Sequence, residues 1–232
     1  MSGGARPDTV VLVAGTGTEV GKTWVSARLL ERWRAAGLTV AARKPAQSGT
    51  PGSGPADAEV LGAASGEDPD VVCPPHRSYP VALAPPMAAE ALGRPVPTVA
   101  DLVGELAWPP GPARVGLVET AGGVRSPQAG DGDVTDLLDA LLPEAVVVVA
   151  DAGLGAINAV RLSLEALGRA AHVPALGPMV VLNRFDGTDD LHRRNADWLA
   201  RRHGVTLFGS DLAGLDALGT ALVAGGPPAA GT

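Results

Sequence analysis

The nine residues Gly15-Thr16-Gly17-Thr18-Glu19-Val20-Gly21-Lys22-Thr23 constrain this chain more than any other stretch. They follow the apolar run Thr9-Val10-Val11-Leu12-Val13-Ala14 and lead into a segment with helical spacing. A glycine-rich turn thus joins a strand to a helix N-terminus. Backbone N–H groups in such a turn lack intrahelical partners, and the helix dipole adds partial positive charge, so the turn suits a phosphate. Lys22 can reach the terminal phosphates of a bound nucleotide, and the Thr23 hydroxyl can ligate a magnesium ion bridging them. The usual P-loop places its first glycine six residues before the lysine; here Thr16 holds that position between Gly15 and Gly17.

The same alternation continues along the chain. Val25, Leu29, Trp33 and Ala36 share one face of a helix predicted over 20–36, which Gly37 ends. Strands are predicted over 38–42, 114–119, 145–150, 178–182 and 205–208. Helices are expected near 56–61, 87–92 and 99–107, from 153 to about 171, and over 190–203. Strands alternating with helices predict a single α/β domain over residues 1–232, with a doubly wound, mostly parallel sheet of the P-loop NTPase type. The polar ends, 1–8 and 225–232, are expected to be disordered. Aromatic residues make up only 3%, which leaves the core to Val, Leu and Ala.

A net charge of −7 offers nothing to duplex nucleic acid or an anionic membrane. The longest apolar run is far too short to span a bilayer, and no secretory leader is visible, so a soluble cytoplasmic protein is expected. Cys73 stands alone, excluding an intrachain disulfide or a cysteine metal cage, and the four histidines show no ligand spacing.

Of 18 basic residues, only Lys22 and Lys44 are lysines. A chain that uses arginine elsewhere keeps lysine where a compact ammonium on a flexible stem matters. Lys44 leaves the C-terminal end of the second strand, where ligands of parallel sheets collect, and should stand exposed in the crevice that the P-loop faces. Asp57, near a helix start, reads as a capping carboxylate or as support for magnesium. Glu119 ends a buried strand and is followed by Thr120-Ala121-Gly122-Gly123, a turn whose backbone can approach a phosphate. It is preferred to Asp151 as the acidic group near the metal. The helix start after Gly153 suits a carboxylate ligand, and Asn183 suits the edge of a base or a turn.

Taken in order, the P-loop stretch, Lys44-Pro45-Ala46-Gln47-Ser48-Gly49, Val118-Glu119-Thr120-Ala121-Gly122-Gly123 and Leu154-Gly155-Ala156-Ile157-Asn158 resemble dethiobiotin synthetase. The resemblance runs from about residue 10 to residue 208. It implies an ATP- and magnesium-dependent cyclo-ligase of biotin synthesis that works as a homodimer. Such an enzyme carboxylates 7,8-diaminononanoate with CO2 and closes the ureido ring through a carbamate and a carbamic-phosphoric anhydride, releasing ADP and phosphate. By the same resemblance Glu19, Val20, Gly21, Lys22, Thr23 and Trp24 surround the nucleotide, with Lys22 on its terminal phosphates. Thr23, Asp57 and Glu119 form the metal environment. Lys44 is the active-site lysine, and Ser48 touches the diamine or its carbamate. Thr120, Ala121 and Gly122 lie along the phosphates, and Asn183 meets the base. Leu154, Gly155, Ala156, Ile157 and Asn158 receive the substrate carboxylate from the neighbouring subunit.

Two departures stand out: Thr120 replaces a more usual glycine, and 209–211 matches the family poorly. An alternative reading is a partitioning-type P-loop ATPase switch governed by a protein partner. Its signature lysine, five residues before Lys22, would fall at Gly17. A cobyrinate-type amide ligase is a third reading; it needs a glutaminase with a catalytic cysteine, for which no domain follows residue 208.

Overall fold

The computed structural model describes residues 4–224. The tail at 225–232 and residues 1–3, expected to be disordered, lie outside the described residues. In chain order the elements are β1 (Thr9–Gly15), α1 (Lys22–Ala35), β2 (Val40–Arg43), β3 (Gln47–Ser48), α2 (Asp57–Ser65), α3 (Pro69–Val72), β4 (Ser78–Tyr79), α4 (Pro85–Ala91) and α5 (Val99–Gly104). Then follow β5 (Val115–Glu119), α6 (Val134–Leu141), β6 (Ala145–Asp151), α7 (Ala156–Leu167), β7 (Pro178–Asn183), α8 (Asp190–His203), β8 (Leu207–Gly209) and α9 (Leu212–Ala224).

Six strands form one parallel sheet in the order β2-β5-β1-β6-β7-β8. Val10, Leu12 and Ala14 of β1 face a layer containing α6, α7 and α8, while Val11 and Val13 face α1, α2 and α9. A strand covered on both faces has no solvent side, which is why β1 and β6 read as continuous apolar runs rather than alternating ones. The chain crosses from one side of β1 to the other, and the loops at the strand C-terminal ends border the crevice where doubly wound sheets bind ligands.

α1 buries Val25, Leu29 and Trp33 as the spacing predicts, whereas Ala36 is its exposed C-cap; Trp33 Nε1 donates to Gly219 O at 3.1 Å. It ends in a Schellman motif: Gly37, at φ +81°, donates to Arg34 O, and Leu38 N donates to Trp33 O. Leu38 is consumed by the helix end, so β2 begins at Val40 rather than 38. Four features fall outside the sequence expectation: α3, the short parallel pair β3–β4, α6 capped by Asp133, and α9. The N-terminal segment also differs. Gly4 N donates to Trp108 O, Arg6 pairs with Glu144 at 2.7 Å, and Asp8 pairs with Arg114 at 2.8 Å, so 4–8 is tied to the sheet end instead of disordered. Among the described residues no helix is long and apolar enough to cross a membrane.

Candidate active site

The turn between β1 and α1 is held from three sides. Lys22 folds back into it, Nζ donating to Gly17 O at 3.0 Å and to Gly122 O at 2.8 Å. The displaced glycine has a packing reason: a Cβ on Gly15 would lie 2.9 Å from Gly17 O and 3.0 Å from Lys22 Cδ. On the far side Asn183 Nδ2 donates to Val20 O at 2.9 Å and Arg184 Nη2 donates to Glu19 O at 2.9 Å. Arg184 also pairs with Asp151, whose Oδ1 accepts from Gly153 N. Asp151 therefore serves its own turn, and Glu119 is the acid that enters the cluster described next.

Gly21 sits at φ +93°, and a Cβ there would come within 2.0 Å of Asn183 Nδ2. Gly21→Ala is expected to cost about 1–3 kcal/mol from backbone strain and loss of the Asn183 contact. It should also weaken nucleotide binding, because the helix start is displaced. Urea unfolding and nucleotide titration read the two effects separately.

Behind the turn lies a buried charge cluster. Lys44 Nζ is 2.7 Å from Asp57 Oδ2 and 2.8 Å from Glu119 Oε1, and it donates to Thr120 O at 3.2 Å. Thr23 Oγ1 lies 2.8 Å from Asp57 Oδ1 and 2.9 Å from Glu119 Oε1; Ser26 Oγ donates to Glu119 Oε2 at 2.6 Å. The expectation that Lys44 stands exposed is corrected here: the residue is 2% accessible and Glu119 is 0%. The carboxylates draw the ammonium inward, toward the strand ends, because a buried Glu119 without a counter-charge would be costly. Burial opposes the Lys44 charge, but the Glu119 and Asp57 carboxylates outweigh it and raise the ammonium's pKa. Lys22 goes the other way, down to about 8, through burial first and repulsion from Lys44 second, against the pull of Glu119 and Asp57. Burial works against the Asp57 charge, yet Lys44 and Thr23 hold its pKa below the ordinary value. Asp57 is the first helical residue of α2, and the cap position belongs to Ala56, so its side chain serves the cluster rather than the helix end.

Thr23, Asp57 and Glu119 offer hard oxygen donors, as magnesium requires. Among the described residues no group of three His, Cys, Asp or Glu side chains converges on a metal site. A cation here would complete its shell with oxygens from outside the protein, the arrangement magnesium adopts on nucleotide phosphates.

A family model described as AAA domain matches residues 9–210. ATP-dependent dethiobiotin synthetase from Anaeromyxobacter dehalogenans is 43% identical over 183 residues, 78% of each chain. The same enzyme from Mycobacterium marinum is 41% identical over 194 residues, 83% of each chain. That from Rhodococcus jostii is 37% identical over 214 residues, 92% of this chain and 90% of its own. The chain belongs to the dethiobiotin synthetase family. Structural likeness reaches further but says less. The cell division protein ftsY of Thermotoga maritima overlays at a TM-score of 0.52 with 16% identity, over 96% of this chain and 71% of that one. The signal recognition particle receptor FtsY of Elizabethkingia anophelis in complex with GDP overlays at 0.50 with 17% identity, and the chain spans 57% of its length. At such identities the likeness shows the P-loop NTPase fold alone.

Not every residue that the dethiobiotin synthetase resemblance singles out converges on the cluster. Gln47 and Ser48 open a cavity of about 880 Å³ that Glu19, Asp57, Glu59, Asp70 and Arg94 also line. Ser48 Oγ donates to Leu83 O at 2.6 Å, which ties its hydroxyl to the loop after β4. Leu154, Gly155, Ala156, Ile157 and Asn158 are not among the residues lining this cavity; Leu154 is 93% accessible and Gly155 starts α7 at φ +91°. Trp24 lies beneath Arg28 and lines a separate hollow with Ser210 and Leu212. Thr120 is buried, its N and Oγ1 donating to Val13 O, so its hydroxyl turns into the sheet. Gln128 and Arg184 lie outside the sequence expectation. Gln128 Oε1 accepts from Ala121 N and its Nε2 donates to Ala121 O, clamping the turn beside Gly122. No motif marks Gln128; for Arg184 the only sign is its place after Asn183 at a strand end.

Proposed function

We propose that this chain is an ATP-dependent ligase of biotin synthesis that forms dethiobiotin from 7,8-diaminononanoate and CO2. The observation that carries the proposal is the convergence of the chain's two lysines, Lys22 on the phosphate turn and Lys44 between Asp57 and Glu119, at one end of the sheet. Membership of the dethiobiotin synthetase family supports this choice of substrates. The chemistry joins two anions, so it needs concentrated positive charge and fixed orientation.

One substrate amine adds to CO2, forming an N–C bond and losing a proton, to give a carbamate. A carbamate oxygen attacks the γ-phosphorus of ATP as the bond to ADP breaks. The second amine then attacks the carbamoyl carbon and gives up a proton, the C–O bond breaks to release phosphate, and the ureido ring closes. Lys22 balances charge on the transferring phosphoryl group, and Lys44 orients the carbamate oxygens. Thr23, Asp57 and Glu119 would hold magnesium, which when bound neutralises phosphate charge. Glu19, Val20, Gly21, Trp24, Thr120, Ala121 and Gly122 surround the nucleotide, with Asn183 toward the base. Ser48 sits beside the diamine, and the acidic rim of the cavity, Asp57, Glu59 and Asp70, attracts its ammonium groups. The exposed start of α7, Leu154 to Asn158, receives the substrate carboxylate across a homodimer interface. A soluble cytoplasmic location agrees with substrates of this size and polarity.

Phosphate release measured with ATP, the diamine and bicarbonate, leaving out each in turn, tests the proposal. Turnover is expected only with all three. Rapid hydrolysis without the diamine would point to the switch-type ATPase instead.

A further inference from the structure

Lys44 holds the place a divalent cation would need. Its ammonium contacts Asp57 Oδ2 at 2.7 Å and Glu119 Oε1 at 2.8 Å, and that same Glu119 oxygen lies 2.9 Å from Thr23 Oγ1. A magnesium ion drawing on Thr23 and both carboxylates would take these oxygens at about 2.0–2.1 Å. It would then set two positive charges beside a third inside a buried site, where like charges are poorly screened. The backbone at Lys44 is fixed, its N donating to Val72 O at 2.8 Å, so only the four-carbon stem is free to yield. Asp57 borders the cavity, and Glu119, Thr120 and Ser26 are buried behind it, which leaves the cavity as the direction of escape.

We propose that Lys44 and the divalent cation exchange places on the Asp57–Glu119 pair, so that arrival of the metal–nucleotide releases the Lys44 ammonium toward the substrate cavity. The exchange rests on the reading that Thr23, Asp57 and Glu119 take a metal with the nucleotide. Its consequence is an order of events. Before the phosphate donor binds, Lys44 neutralises the carboxylates and is withheld from the diamine side. Once the metal takes over that task, the ammonium is available to the carbamate.

The chain holds only two lysines, so reductive methylation followed by peptide mass spectrometry reports each separately. The wild-type protein would be labelled alone, with ADP and a chelator, and with ADP and magnesium. The expected result is that ADP protects Lys22 in both nucleotide samples, whereas Lys44 becomes at least about tenfold more reactive only when magnesium is present. Opposite movements of the two lysines separate exchange from unfolding, which would expose both. If Lys22 is protected while Lys44 stays slow with magnesium, the exchange is overturned and the nucleotide site stands. If neither lysine responds to any addition, both the exchange and the assignment of the nucleotide site fail. As a second measurement, folded Lys44→Met should bind magnesium–ADP about tenfold more tightly than wild type, since no ammonium competes; unchanged or weaker binding counts against the exchange.

Discussion

Lys22→Met is expected to lower single-turnover phosphate release about 10³-fold while the protein stays folded. Methionine keeps the length of the stem but removes the charge that stabilises the transferring phosphoryl group. The structural cost is limited because Lys22 is not the sole partner of a buried acid: its ammonium donates to two backbone carbonyls, Gly17 O and Gly122 O. Losing those donors costs about 1–3 kcal/mol. Lys22→Arg is not expected to restore activity. The planar guanidinium fork is wider than an ammonium, and the Lys22 Nζ is held as a single point between two fixed carbonyls, Gly17 O and Gly122 O. Activity within tenfold of wild type in Lys22→Met, with an unchanged unfolding midpoint, would remove Lys22 from the proposed chemistry.

What the sequence makes legible follows the range of the interactions involved. β1 and α1 are readable because local pattern and core packing agree: Val10 to Ala14 are apolar without a break, and Val25, Leu29 and Trp33 recur at helical spacing. The scarcity of lysine singles out Lys44 without any knowledge of the fold. Its burial is not readable, because the groups that draw it inward lie 13 and 75 positions away, at Asp57 and Glu119. The ambiguity of Asp57 has the same origin. An acid at a helix start reads as a cap until Lys44 and Thr23 are seen to claim its oxygens. Gln128 clamps Ala121 through backbone hydrogen bonds that no residue spacing encodes. α6 is a different case, since Asp133 caps it and Val134, Leu137, Leu138 and Leu141 form an apolar face, so its signal was local and open to reading.

Lys44→Ala is expected to cost stability as well as ring closure, as a lysine exposed in a crevice would not. The mutation leaves the Glu119 carboxylate fully buried, still hydrogen-bonded by the Ser26 and Thr23 hydroxyls and within the field of Lys22, but without its ion-pair partner. Removing one partner of a buried ion pair costs about 3–5 kcal/mol. Asp57 contributes less to that cost, because its side chain is 40% accessible and water can take the place of the ammonium. Structural and chemical roles separate in a double variant. Lys44→Met with Glu119→Gln removes both charges at similar volume, so much of the lost stability should return while turnover stays absent. The measurements are urea unfolding and phosphate release on the two single variants and the double. An unfolding midpoint unchanged in Lys44→Ala would mean that the buried pair is not what holds Glu119. Turnover surviving in a folded Lys44→Ala would mean that the carbamate is oriented by something else. If the double variant is no more stable than the singles, the cost lies in packing rather than in an uncompensated charge, because only the charge term is removed when both partners become neutral.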